Sequence, residues 1–389
     1  MANRPWTVLV YIVADDDRQP GAGHPSLNKI AAAQIAELSK TAREMKGQPL
    51  VLTQVDFTNA RPKQCVFPDD SSADAARICT PIEKEPNSAS RRTIGDFFKW
   101  AAGVLREKGI QNSRFAVIFW GHAAGPAGLF RDPAPASTNP SLKLPDLRRA
   151  LQDGLQYLGA RYFDVVMFQD CWTSSLEVVY ELKDVARYMV ASQEIIAPIE
   201  KIWPYTLLFE ELLKPTSPSL EMLDAIVGRL ADQYERKIAF SGLTLDAAPG
   251  LALPLARLTA ALQSLTDDER EASRRMMREM AGGDPALIDV RAFCKRLRDA
   301  DIVKQQALAL ERVANTLVRA STAQDGSGLR GVSLFHSPPD NERDKDEKKS
   351  VFADSVLMFD YNELQLSEDT EGAGANWSEV AFENRFVVV

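Results

Sequence analysis

Five short runs of apolar and β-branched residues, at 6–13, 50–57, 114–120, 163–168 and 188–191, recur between segments of helical periodicity. Each has the length of a strand buried on both faces, where side chains meet apolar neighbours above and below a sheet. Ile94, Phe97, Phe98, Ala101 and Leu105 make one helical stripe behind a Thr93-x-x-Asp96 start signal. Leu144, Leu147, Leu151, Leu155 and Leu158 make another. Strands that alternate with helices in this way run parallel and are joined by right-handed crossovers. The expected fold is therefore α/β, a mostly parallel sheet flanked by helices.

The remaining chain divides by pattern. Residues 58–91, polar and rich in Pro, Ser and Asp, read as an excursion between the second strand and its helix, and 126–141 reads as a second long loop. Beyond Pro198 the pattern becomes mostly helical, at 219–236, 254–264, 267–281 and 299–320, with a further strand near 331–336 and the charged turn "DNERDKDEKKS" after it. A soft boundary near residue 200 separates a first unit, 1–200, which carries the alternating strands, from a helical C-terminal region, 201–389, packed on it.

Composition excludes several partners. Of 389 residues 45% are hydrophobic and 26% charged, and the net charge of -8 comes from 54 acids and 46 bases without a basic stripe or arm, so nucleic acid is not expected as a partner. No apolar run approaches the roughly 20 residues that span a bilayer, so no membrane is expected. The run "WTVLVYIV" meets Asp15 without a cleavage site and reads as a buried strand rather than a signal peptide. The expected compartment is the cytoplasm. Cys65, Cys79, Cys171 and Cys294 fit no metal-ligand spacing and are expected as free thiols, although Cys65 and Cys79 are placed to bridge one loop.

Ligands of open α/β sheets gather at the carboxyl ends of strands. Two reactive side chains fall there: His122 after "FAVIFWG" and Cys171 after "FDVVMFQD". Ser174 and Glu177 form an S-x-x-E pattern, which places a helix start within one turn of the sulfur and favours the nucleophilic thiolate. A lone cysteine more often fills core space, which is the reading for Cys294. What sets Cys171 apart is its neighbour, a histidine in a Gly-His-Ala-Ala-Gly turn whose small residues let a substrate approach the backbone. His24 reads as a loop residue and His336 as packing near a strand end.

Here the chain resembles the clostripain-like cysteine peptidases, which share the caspase and haemoglobinase fold. The likeness rests on "WTVLVYIVADDD", "FAVIFWGHAAG" and "FDVVMFQDCWTSSLEVVYELKDVARYMVASQEI", with weaker matches at "LIDVRAFCKRL" and "GVSLFHSPP". It implies an endopeptidase that acts on proteins or peptides. Cys171 would attack the scissile carbonyl, His122 would protonate the leaving amine, and the backbone N–H groups of Ala123 and Cys171 would bind the oxyanion.

Two positions depart from the family. His-Gly is replaced by His122-Ala123, which keeps the N–H and adds a methyl group. The family's Asp-Ala-Cys, whose acid lines a pocket for arginine or lysine, becomes Gln169-Asp170-Cys171, closer to the caspase Gln-Ala-Cys. Strand alternation turns Asp170 to the opposite face from Gln169, so Asp170 does not simply replace the missing acid. Arg18 is a candidate basic wall, and Glu194 or one of Asp15, Asp16 and Asp17 is a candidate alternative acid. No cofactor is required by this reading; Asp15, Asp16 and Asp17 are the candidate ligands for calcium, which some relatives use.

The departures motivate a rival reading, a catalytically silent relative that binds a partner through the same cleft. A nucleotide-binding protein is excluded by the lack of a G-x-G-x-x-G or P-loop after any strand. An exposed peptidase cleft must be held back by a loop, a regulatory protein partner or a signal. The loop at 126–141, with Arg131 and Lys143 in or beside it, lies where the resemblance implies self-cleavage between histidine and cysteine.

Overall fold

The structure is a computed structural model and describes residues 5–15, 26–46, 48–58, 60–67, 79–111, 113–132, 141–196, 201–280, 286–322, 329–336 and 361–381. All five expected strands form: β1 (Trp6–Ala14), β2 (Leu50–Phe57), β5 (Arg114–Trp120), β8 (Phe163–Gln169) and β9 (Ala186–Ser192). They lie parallel in the order β9-β8-β5-β1-β2. Successive residues of β1 serve opposite faces, Leu9, Tyr11 and Val13 one core and Val8, Val10 and Ile12 the other.

Helices cover both faces, as continuous apolar strands require. The first core is shared with α2 (Arg91–Glu107), α3 (Leu144–Leu158) and α4 (Leu176–Leu182). The second is shared with α1 (Leu27–Glu44), α5 (Tyr205–Leu213) and α6 (Leu220–Gln233). The start of α2 lies before the expected Thr93 signal: Ser90 is the N-cap, its hydroxyl accepting from the Thr93 N–H at 3.2 Å.

Antiparallel strands extend both edges of the sheet. β3 (Ala60–Phe67) and β4 (Cys79–Pro81) follow β2, so the 58–91 segment is not an excursion without regular structure. Only Pro62, Cys65 and Phe67 of β3 are buried, and an edge strand of that polarity does not announce itself by composition. Cys65 stands opposite Cys79 across the β3–β4 ladder and the two form a disulfide, which corrects the expectation of four free thiols. Cys171 and Cys294 are the free cysteines, Cys294 buried in the core as expected. The pairing depends on a strand register that spacing in the sequence does not reveal, and it removes the argument for a reducing compartment.

At the other edge β10 (Phe240–Thr244) and β12 (Val318–Ser321) continue the sheet to nine strands. The boundary expected near residue 200 falls between β9 and β10, which pair in this sheet. The helical pattern beyond it resolves into α7 (Ala252–Gln263), α8 (Asp267–Glu279), α9 (Val290–Asp299), α10 (Lys304–Leu317), α11 (Gln365–Gly372) and α12 (Trp377–Ala381). The strand expected near 331–336 is β13 (Ser333–Phe335), which pairs with β11 (Leu287–Asp289). The ends of the second expected loop form a small hairpin, β6 (Leu129–Arg131) with β7 (Ser141–Leu142). The charged turn after β13 lies outside the described residues.

The α2–α3 contact is closest at Gly154, where an added Cβ would come 2.6 Å from Cδ2 of Phe98. That ring cannot retreat, because Phe97 and Phe163 hold it at centroid distances of 5.4 and 5.3 Å. Overpacking of about 1–3 kcal/mol outweighs the helix propensity that alanine gains over glycine, about 1 kcal/mol. Gly154→Ala should therefore lower stability by up to about 2 kcal/mol, read as a lower denaturant midpoint at unchanged slope; a raised midpoint contradicts this account of the contact.

Candidate active site

Trp120 at the end of β5 pairs with Gln169 at the end of β8. His122 and Cys171 lie the same step beyond this pair, so they leave adjacent parallel strands at one level on the carboxyl edge of the sheet. His122 is exposed and Cys171 half-buried.

The histidine turn is fixed from both sides. The Phe130 N–H donates to the His122 carbonyl at 2.7 Å and the Ala124 N–H to the Gly128 carbonyl at 2.9 Å. These bonds flank the Ala123–Leu129 bridge, and in such a pair the N–H of Ala123 itself points away from the hairpin. Gly125, at φ +51°, lies so close to the cysteine turn that a Cβ would stand 2.6 Å from the Trp172 carbonyl oxygen. A Cβ on Gly121 would meet the Phe130 ring at 2.9 Å. These two glycines of the turn admit the protein's own chain, where the sequence reading had them admitting substrate.

The cysteine turn is held by the strand end beside it. The Trp172 N–H donates to the Glu194 carbonyl at 3.2 Å, the Ser174 N–H to the Ser192 carbonyl at 2.8 Å, and the Ile196 N–H to Sγ of Cys171 at 3.4 Å. The helix expected within one turn of the sulfur starts later, at Leu176, with Ser175 as its N-cap and not Ser174. Ser174 instead donates its hydroxyl to the Gly331 carbonyl at 2.7 Å, and Glu177 accepts from the Phe335 N–H at 2.8 Å and the Tyr361 hydroxyl at 3.0 Å. The helix therefore begins farther along the chain from the sulfur than the S-x-x-E pattern implied. Burial pushes the Cys171 thiol up to about 12, against the Ile196 N–H and with the help of Asp170 behind it.

The candidates for substrate contact are dispersed. Gln169 is buried, and its Oε1 lies 3.4 Å from the Tyr205 hydroxyl, which donates to Gln34 Oε1 at 2.7 Å. Asp170 points the other way, as strand alternation requires, and has no exposed surface; burial holds its carboxyl well above the usual range, against the opposing Gly121 N–H. Asp170 therefore does not line an open pocket. Glu194 is half-buried, raised by burial, and accepts the Ala239 N–H at 2.7 Å. Asp15 is buried at the end of β1, whereas Asp16, Asp17, Arg18 and His24 lie outside the described residues. His336 is buried at the end of β13, as expected of a packing residue. Arg131 is partly buried, and Lys143 pairs with Glu363 at 2.7 Å.

One buried residue escaped the sequence reading. Gln193 is fully buried; its amide donates to Asp289 at 3.0 Å and to the Ser333 hydroxyl at 2.9 Å, and its Oε1 accepts the Gly331 N–H at 2.6 Å. Its partners lie so far along the chain that only a polar residue at the end of a buried run marks it beforehand.

A parallel strand centre that carries a cysteine and a histidine at neighbouring carboxyl ends defines the class, a cysteine protease of caspase-like α/β fold. The sequence pattern of the clostripain family matches residues 10–280, and the chain belongs to that family. No curated protein sequence matches it. A secreted C11 cysteine protease of Bacteroides thetaiotaomicron, solved in complex with an irreversible peptide inhibitor, is 18% identical with a TM-score of 0.64, over 95% of this chain and 99% of that one. An inactive zymogen C11 protease of Parabacteroides distasonis is 16% identical with a TM-score of 0.59, again over 95% and 99% of the two chains. At these identities the likeness establishes the fold.

The raised thiol gives a testable pH dependence. Alkylation follows the thiolate fraction, so iodoacetamide labelling of Cys171 in substrate-free protein should climb through pH 7 to 10, about tenfold per unit, without a plateau. A plateau near neutrality would show a preformed thiolate.

Proposed function

We propose that Cys171 and His122 form the catalytic pair of a peptide hydrolase, and the observation that carries this is the β5–β8 register that sets both residues at adjacent strand ends. His122 takes the Sγ proton as sulfur attacks the scissile carbonyl carbon. The N–H groups of Ala123 and Cys171 receive the oxyanion. When the C–N bond breaks, His122 returns the proton to the amine and a thioester remains on Cys171. Water then attacks the thioester, His122 takes its proton, and the carboxylic acid leaves as the thiol is restored. Because burial holds the resting thiol protonated, attack is coupled to proton transfer to His122, and the Ile196 N–H, which donates to Sγ at 3.4 Å, favours the thiolate as it forms.

The disulfide favours an oxidising compartment over the cytoplasm. The relative of Bacteroides thetaiotaomicron, itself a secreted protease, supports the same reading.

Cys171→Ala and His122→Ala should each lower kcat/KM on a peptide library by at least about a thousandfold, with Tm nearly unchanged, while Cys294→Ala retains activity. Full cleavage by either of the first two variants removes the pair from the mechanism; a wild type that cuts nothing yet binds peptides favours the silent partner-binding reading.

Specificity is proposed to depend on Gln169. A pocket for lysine or arginine needs a carboxylate, since an unpaired buried cation loses its hydration without compensation. Gln169 offers only an amide, already near Tyr205. Wild type should prefer basic residues at the cut site weakly, and Gln169→Asp should raise turnover of arginine substrates relative to neutral ones. Cleavage almost solely after arginine or lysine by wild type would move the pocket acid elsewhere, with Glu194 the first candidate.

A further inference from the structure

A bulky side chain stays on left-handed backbone only where its surroundings force it there. Among the described residues, seven other than glycine have φ between +37° and +60°. Five adjoin helix ends, where a left-handed residue is ordinary. Lys46 lies just past α1, Glu235 and Arg236 just past α6, Asp301 just past α9 and Val303 just ahead of α10. The other two are aromatic and flank the proposed pair. Trp172, at φ +54°, directly follows Cys171. Phe130, at φ +51°, sits where β6 slips register against β7, and its N–H donates to the His122 carbonyl at 2.7 Å.

Glycine would adopt these angles without penalty. Both positions carry a large ring instead, and both rings are fastened in the first core, Phe130 1% and Trp172 4% exposed. The Phe130 ring centroid lies 5.8 Å from that of Tyr11 and 5.7 Å from that of Phe119. The Trp172 N–H is held by the Glu194 carbonyl, and the Trp172 carbonyl oxygen is the atom on which Gly125 of the histidine turn closes. Relaxation of Trp172 to ordinary angles would turn Cys171 with it. Relaxation of Phe130 would release the bond that holds the His122 carbonyl.

We propose that Phe130 and Trp172 are positioning residues of the hydrolase. Their buried rings hold the backbone at left-handed angles, and those angles set how the His122 and Cys171 turns face each other before substrate arrives. The register slip in β6 suits this role, since bulges beside active sites re-aim the residues around them. Neither ring contacts substrate; each acts through the turn it anchors. The inference rests on the Cys171–His122 reading, and its test separates the two.

The full chain is assayed for kcat and KM on a peptide that wild type cuts, with Tm measured on the same samples. Phe130→Ala and Trp172→Ala should each lower kcat by at least about tenfold with KM little changed. Phe130→Leu and Trp172→Phe, which keep the space filled, should recover most of that loss. Leu38→Ala is the control: fully buried on α1 in the second core, it should lower Tm and leave kcat unchanged. Gly125→Ala presses a methyl group on the Trp172 carbonyl without emptying the core, so it should lower kcat even where the alanine variants of the rings fail to fold. A kcat that falls no further in the folded ring variants than in Leu38→Ala overturns the positioning role, and so does full kcat in Gly125→Ala. Cys171→Ala, measured alongside, identifies which idea has failed. Its inactivity with kcat intact in the ring variants rejects the positioning role alone. Its full cleavage, or a wild type that cuts no peptide, removes the catalytic pair and the positioning role together.

Discussion

A strand buried on both faces can satisfy its backbone groups only through the strands beside it. The five apolar runs are such strands, so they must pair with one another, and the pairing fixes the level at which each chain emerges. From the Trp120–Gln169 pair onward the positions of His122 and Cys171 follow with no freedom beyond a short turn. The turns are locked in their turn by close backbone approach, Gly125 against Trp172 and Gly121 against Phe130. The placement of the proposed pair is a consequence of sheet register.

The second constraint is polar. Gln193 sits just past β9, and its amide is saturated by Asp289, Ser333 and Gly331, all from the C-terminal half. Asp289 also receives the N–H groups of Ala292 at 2.7 Å and Arg330 at 2.6 Å. Ser174 adds a bond from the cysteine turn to the same Gly331. Each buried group left unpaired costs about 1–3 kcal/mol, so the network ties the cysteine turn firmly to a region that supplies none of the proposed catalytic pair.

Electrostatics at the strand ends runs against charge. Burial disfavours the ionised forms of Cys171, Asp170 and Asp56 alike, with no cation beside any of them among the strongest influences. For Cys171 this stores a neutral thiol that needs a base; for Asp56 it favours the protonated carboxyl. One physical cause, desolvation at the carboxyl edge of the sheet, underlies the raised Cys171 thiol and the raised carboxyls of Asp170 and Asp56.

The sequence by itself determined the five parallel strands, the helices on either face and the two reactive residues at strand ends, because periodicity and strand length are local properties. It placed His122 and Cys171 through their position after buried runs, and it foresaw β13. What it did not contain is everything decided by partners distant in the chain. The polar edge strand β3 carries no apolar signature, and the Cys65–Cys79 bond exists because β3 and β4 pair in one register. The true cap at Ser175 was masked by Ser174, which has a distant partner in Gly331. The raised thiol of Cys171 depends on the strand end folded over it. Burial and register are properties of the whole chain, and only tertiary structure fixes them.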